Sequence, residues 1–111
     1  MEIRGNSKFC ILAPLFSTIN KFEVEKLSKF LDNESREIAF DLSNVSNCSI
    51  DFIEFLKNIA KKNRVGVFNI HSDVFALFNI MGIDKVVDLF VSENDFELGT
   101  HKLINRSFTI V

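Results

Sequence analysis

The sequence predicts one α/β domain over residues 1–111, a mixed and mostly parallel β-sheet with about four helices packed on it. Three observations predict it. Short apolar runs of strand length alternate with runs whose apolar residues recur at helical spacing, and such alternation implies crossover connections. Apolar residues make up 47 % of the chain and charged residues 25 %, enough to build a core. No internal repeat, low-complexity stretch or interdomain linker divides the 111 residues, a usual size for a single domain.

Each element has its own local reason. Met1–Arg4 and Lys8–Phe16 flank the turn dipeptide Gly5-Asn6, which predicts a hairpin. The second of these segments is apolar on both faces, as a buried strand is. Ser17-Thr18 offers an N-cap for a helix from Ile19 or Asn20 to Leu31. Its apolar stripe is Ile19, Phe22 or Glu23, Val24, Leu27, Phe30 and Leu31, with Glu25 and Lys29 four apart in the favourable order.

A polar loop, Asp32 to Ser35, leads to a second buried strand, Glu37–Leu42. Phe52, Phe55, Leu56 and Ile59 then define a helix that Lys61-Lys62-Asn63 closes. Val65–Ile70 is a third strand. Asp73 is the expected cap of a short helix with core residues Val74, Leu77, Phe78 and Met81 and Gly82 as its stop. Lys85–Val91 is a fourth strand, and Ser92 caps a last helix through Leu98. The tail, Leu103–Val111, is read as an added edge strand or a fraying end.

Composition excludes several functions. The net charge is −2 and the basic residues are scattered, except for Lys61, Lys62 and Arg64 at a helix end, so nucleic-acid binding has no support. The eight-residue apolar run Phe9–Phe16 is too short to cross a bilayer and no signal peptide precedes it, so a cytoplasmic protein without direct membrane insertion is expected. Cys10 and Cys48 have no metal-binding spacing, and free thiols are expected. His71 and His101 stand alone. With four glycines and no nucleophile, zinc or phosphate-loop motif, the chain shows no sign of catalysis or of a cofactor.

The chemistry-bearing stretch is the polar run Ser43 to Asp51, between a buried strand and an amphipathic helix. Asp41 is the one acid inside an apolar strand; it is expected to end that strand and bond loop amides, or to support a recognised site nearby. Ser49 or Asp51 is a good N-cap, and Asp51 with Glu54 resembles a capping box. Ser43 and Ser46 are expected to satisfy turn amides. Cys48 reads as a half-buried thiol with no neighbouring cation to activate it.

The stretch from Glu37 to Leu56, followed by Val65 to Phe90, resembles a STAS domain, the fold of bacterial anti-sigma factor antagonists. That family has an apolar strand ending in Asp-Leu-Ser, then a helix opening on Asp-Ser-Ser-Gly-Leu, and later a short helix ending in Gly-hydrophobic-Asp. Phe40-Asp41-Leu42-Ser43 matches the first part and Gly82-Ile83-Asp84 the last. The stretch from Phe9 to Leu31 is similar to the family's strand, loop and first helix. The Asp-Ser-Ser-Gly pattern itself is absent.

The resemblance implies a regulatory module that binds an anti-sigma factor kinase in partner switching, with a phosphoacceptor serine at the second helix. Counting without gaps from Asp41 puts Ile50 at the phosphoacceptor position and Ser49 at the preceding Asp. A register anchored on the helix, with one loop residue deleted, makes Ser49 the phosphoacceptor, Cys48 the Asp position and Asp51 the Gly position. The second is preferred, because loops tolerate deletions better than buried helix positions tolerate polar residues.

The implied partner-binding residues are Asn44, Ser46, Asn47, Ser49, Ile50, Asp51, Ile53 and Glu54, with Asp41 in support. The missing motif keeps an alternative open, a non-phosphorylated scaffold in a lipid-transport ATPase or stressosome-like assembly. In either case the partner is a protein, and the chain itself a monomer or weak homodimer.

Overall fold

The computed structural model describes residues 1–100 and the backbone of Lys102 and Leu103. The strands are β1 (Glu2–Gly5), β2 (Phe9–Ala13), β3 (Thr18–Ile19), β4 (Glu37–Asp41), β5 (Asn47–Cys48), β6 (Val65–Phe68), β7 (Asp88–Phe90) and β8 (Lys102–Leu103). The helices are α1 (Lys21–Phe30), α2 (Ile50–Ile59), α3 (Ser72–Ile80) and α4 (Glu93–Leu98), with a 3-10 turn at Ile83–Lys85. The main sheet has the order β1-β2-β4-β6-β7-β8. Its four inner strands run parallel and both outer strands antiparallel to their neighbours. The expected mixed, mostly parallel sheet with four helices is what forms.

Alternation along the strands builds two apolar layers. Leu12, Ile38, Phe40, Val67 and Leu89 join the large core with Leu27, Phe52, Leu56, Val74 and Phe78 from α1, α2 and α3. The rings of Phe40 and Phe52 meet edge-on at 5.5 Å. The opposite face carries Ile11, Ala39, Phe68 and Phe90, and Phe96 of α4 covers it. Phe96 fits there because Gly66 offers no side chain; a Cβ at Gly66 would lie 2.6 Å from the Phe96 ring.

Several element bounds differ from the sequence reading, each for a local reason. β2 stops at Ala13 because Pro14 cannot continue the ladder, and Leu15 and Phe16 stand exposed. α1 is capped by Asn20, with a capping box to Glu23, and not by Ser17-Thr18. Thr18 and Ile19 are drawn instead into β3, which pairs with β5. Phe22 and Phe30 are exposed, so the buried stripe of α1 is narrower than the spacing suggests.

β6 ends at Phe68, before Asn69, whose φ of 56° breaks the extended run. α3 is preceded by His71 as N-cap, while Asp73 sits inside its first turn. Gly82 stops it in the left-handed region, φ 72°. β7 begins only at Asp88, because the amides of Val86 and Val87 both turn back to the Ile83 carbonyl. Ser92 caps α4 as expected, accepting from the Asp95 amide. Of the tail, Leu103 extends the sheet as part of β8; residues 104–111, like His101, lie outside the described residues.

Candidate functional site

The polar run begins where β4 ends. Asp41 is buried there, and its carboxylate accepts from Arg4 Nη2 at 2.9 Å, Asn69 Nδ2 at 3.1 Å and the Ser43 amide at 3.1 Å. Burial pushes the Asp41 carboxyl up, but the hydrogen bonds from Arg4, Asn69 and Ser43 outweigh it and hold it below its ordinary value. Arg4 also bonds Glu2 and Glu93, so one guanidinium ties β1, β4 and α4 together. Arg4 and Asn69 were not singled out in the sequence. The available signal for Arg4 was strand alternation, which puts Glu2 and Arg4 on one face of the hairpin.

The middle of the run is clamped. The Ser17 carbonyl accepts from the amides of Ser46 and Asn47 at 2.9 and 3.1 Å, and the Ile19 carbonyl accepts from Ser49 at 3.0 Å. Thr18 and Ile19 face Asn47 and Cys48 in parallel register. This two-stranded ladder fixes where the run passes. The Ser46 hydroxyl donates to the Ser17 carbonyl at 3.3 Å, so it serves a carbonyl where an amide was expected. The Ser43 carbonyl lies 2.9 Å from His71 Nε2.

Within the run Ser49 is the N-cap of α2, and Ile50 and Asp51 begin its first turn. The Ser49 hydroxyl accepts from the Phe52 amide at 3.4 Å, and Phe52, Phe55 and Leu56 are buried. Ser49 is therefore the cap, and the alternative box of Asp51 with Glu54 does not form. Cys48 is buried, and burial pushes its thiol up to about 11, so the residue before the cap is an inert apolar filler. Both cysteines are free and buried.

Of the expected contact residues, Asn44, Ser46, Asn47, Ile50, Asp51 and Glu54 are exposed and Ser49 is half-buried. Ile53 is a correction. It is 0 % exposed inside the helix-side core and offers no atom to a partner. Ile50 is 54 % exposed beside Ser49, an apolar contact point next to the hydroxyl. A shallow depression of about 270 Å³ adjoins this surface, lined in part by Lys21, Glu25, Asp51 and Glu54.

A second depression, of about 580 Å³, lies at the other end of the sheet. Its Arg36 and Arg64 are ion-paired with Glu34 and Asp88. Among the described residues no His, Cys, Asp and Glu cluster could hold a metal, and no helix is long and apolar enough to cross a membrane.

Three solved structures that share this fold are described as anti-sigma factor antagonists. A proposed anti-sigma factor antagonist from Thermotoga maritima superposes with a TM-score of 0.76 at 14 % identity, over 88 % of this chain and 92 % of that one. An anti-sigma-factor antagonist (STAS) domain protein from Planctomyces limnophilus gives 0.74 at 19 % identity, over 88 % and 94 %. The anti-sigma factor antagonist SpoIIAA in its unphosphorylated form gives 0.62 at 9 % identity, over 88 % and 94 %. No protein-family model and no curated protein matches the sequence. The chain has the STAS fold, as the sequence resemblance implied.

Proposed function

We propose that the chain is a cytoplasmic, non-catalytic regulatory module of the anti-sigma factor antagonist type. It binds an ATP-binding anti-sigma factor kinase through the surface from Asn44 to Glu54, and phosphorylation of Ser49 ends that binding. The observation that carries the reading is Ser49 itself. It caps α2, is half-exposed, and terminates a loop clamped by the β3–β5 ladder in a STAS fold.

The physics of the switch follows from that position. A phosphate at a helix N-terminus meets the positive end of the dipole, so it leaves α2 intact. It adds about two negative charges beside Asp51 and Glu54, which are already acidic. A partner that covers Ser49 and Ile50 must desolvate or repel that charge, and binding fails.

Capture from the native cells with tagged wild type and tagged Ser49→Asp tests this, with bound proteins and Ser49 modification read by mass spectrometry. A small ATP-binding kinase held by wild type alone, with phosphate on Ser49, supports the switch. Ile50 at the surface also suits a second reading, a constitutive STAS scaffold. Equal capture of a transporter ATPase or large assembly by both forms, with Ser49 bare, replaces the first reading with it.

A further inference from the structure

Among the described residues strand β1 is an outer edge of the main sheet, and its sequence is complementary to itself. At the hairpin end the Asn6 amide donates to the Phe9 carbonyl at 3.0 Å. Alternation along the ladder then turns the main-chain groups of Glu2 and Arg4 towards Ala13 and Ile11 of β2. The N–H and C=O of Ile3 and Gly5 point outward. The four residues of β1 contain no Pro and no Lys, two of the usual devices that keep an edge from pairing.

The side chains on this edge divide between the two faces of the sheet. Ile3 is in register with buried Leu12, so it stands on the α1 face of the sheet, where it is 49 % exposed. Met1 and Phe16, also exposed, line an apolar groove of about 170 Å³ with Lys26 and Leu27 of α1. Phe30, one turn beyond Lys26, is 47 % exposed. The opposite face of β1 carries Glu2 and Arg4.

We propose that β1 is a dimerisation edge that takes a second copy of this chain. Two β1 strands pair antiparallel about a two-fold axis at Ile3. Ile3 then faces Ile3 of the second copy, and the two exchange both main-chain bonds. Glu2 faces Arg4 of the second copy, and Arg4 faces its Glu2, so opposite charges meet on both sides of the axis. Glu2 is the carboxylate able to cross: its side chain is 60 % exposed, against 10 % for Asp41 and 34 % for Glu93 around the same Arg4. The apolar residues beside Ile3 come together on the α1 face. A foreign strand could use the main-chain groups, but the charge order of Glu2-Ile3-Arg4 fits its own copy.

Sedimentation equilibrium of the full chain tests this, with Ile3→Lys, Ile3→Cys and Ile80→Cys. Wild type is expected to dimerise. Ile3→Lys sets two ammonium groups against each other at the axis and should raise the dimer dissociation constant at least about tenfold, with an unchanged circular dichroism spectrum. Ile3→Cys should form a disulfide-linked dimer under mild oxidation, because position 3 faces itself; Ile80→Cys, at an exposed position at the end of α3, should not. The crosslink also decides the case if Ile3→Lys does not fold. A wild type that stays monomeric at about 1 mM overturns the proposal, whatever other strand the edge then accepts. So does a dimer that Ile3→Cys fails to link.

Discussion

Arg4 Nη2 lies 2.9 Å from Asp41 Oδ2, and that bond joins the N-terminal hairpin to the start of the polar run. Asp41 in turn accepts the Ser43 amide, so a residue in the first strand sets where the candidate loop leaves the sheet.

Removing Arg4 should loosen that start. Arg4→Ala breaks a charge-assisted bond to a buried carboxylate and should cost about 1–3 kcal/mol of folding stability. Asn69 and the Ser43 amide remain as partners, which keeps the loss below that for a stranded charge. Urea unfolding measures the cost, and hydrogen exchange should show faster exchange of the Ser43 amide than in wild type.

The cap makes Ser49 a separable test of stability and binding. Ser49→Ala should cost about 1 kcal/mol, because the Phe52 amide loses its side-chain acceptor. Ser49→Asp should stay close to wild type, since Asp caps as well as Ser and its charge suits the helix N-terminus. Thermal unfolding of both variants checks this. Any binding defect of Ser49→Asp then reflects the surface and not the fold.

Gly66 and Phe96 should show strong coupling. Gly66→Ala forces a Cβ into the Phe96 ring and should cost about 1–3 kcal/mol by overpacking. Adding Phe96→Leu should make the alanine less costly than it is in wild type. A double-mutant cycle by denaturant unfolding reads the interaction.

Acid should act through the Glu34–Arg36 pair. The Arg36 guanidinium, bonded to Glu34 at 2.8 Å, holds that carboxyl down to about 2. A carboxyl depressed on folding contributes stability that is whole above its unfolded value, about 4.3. The contribution is lost as pH falls from there through about 2. Asp41, also depressed, adds a loss of the same sign. Melting temperatures between pH 6 and 2 should fall less steeply for Glu34→Gln than for wild type.

Local pattern carried much of the fold into the sequence. The spacing of Phe52, Phe55 and Leu56 gave the buried face of α2. Gly82 and Ser92 marked boundaries because left-handed backbone and N-caps have few residue choices.

What depended on distant partners was not legible. The β3–β5 ladder consists of two residues on each side, too short for any periodicity, and only the packed chain brings Ser17 to Ser46. The ion pair of Arg4 and Asp41 spans 37 positions. Ile53 stood among the contact residues that the resemblance implied, yet its place on the helix turns it into the core.

The central claim is that Ser49 controls a protein-binding surface. The most direct test is the affinity of wild type, Ser49→Ala and Ser49→Asp for the captured ATP-binding kinase, measured by calorimetry at one salt concentration. Wild type and Ser49→Ala should bind alike, and Ser49→Asp at least about tenfold more weakly, some 1.4 kcal/mol. Equal affinity for all three would contradict the switch, because a negative charge at the cap would then be neither covered nor repelled by the partner.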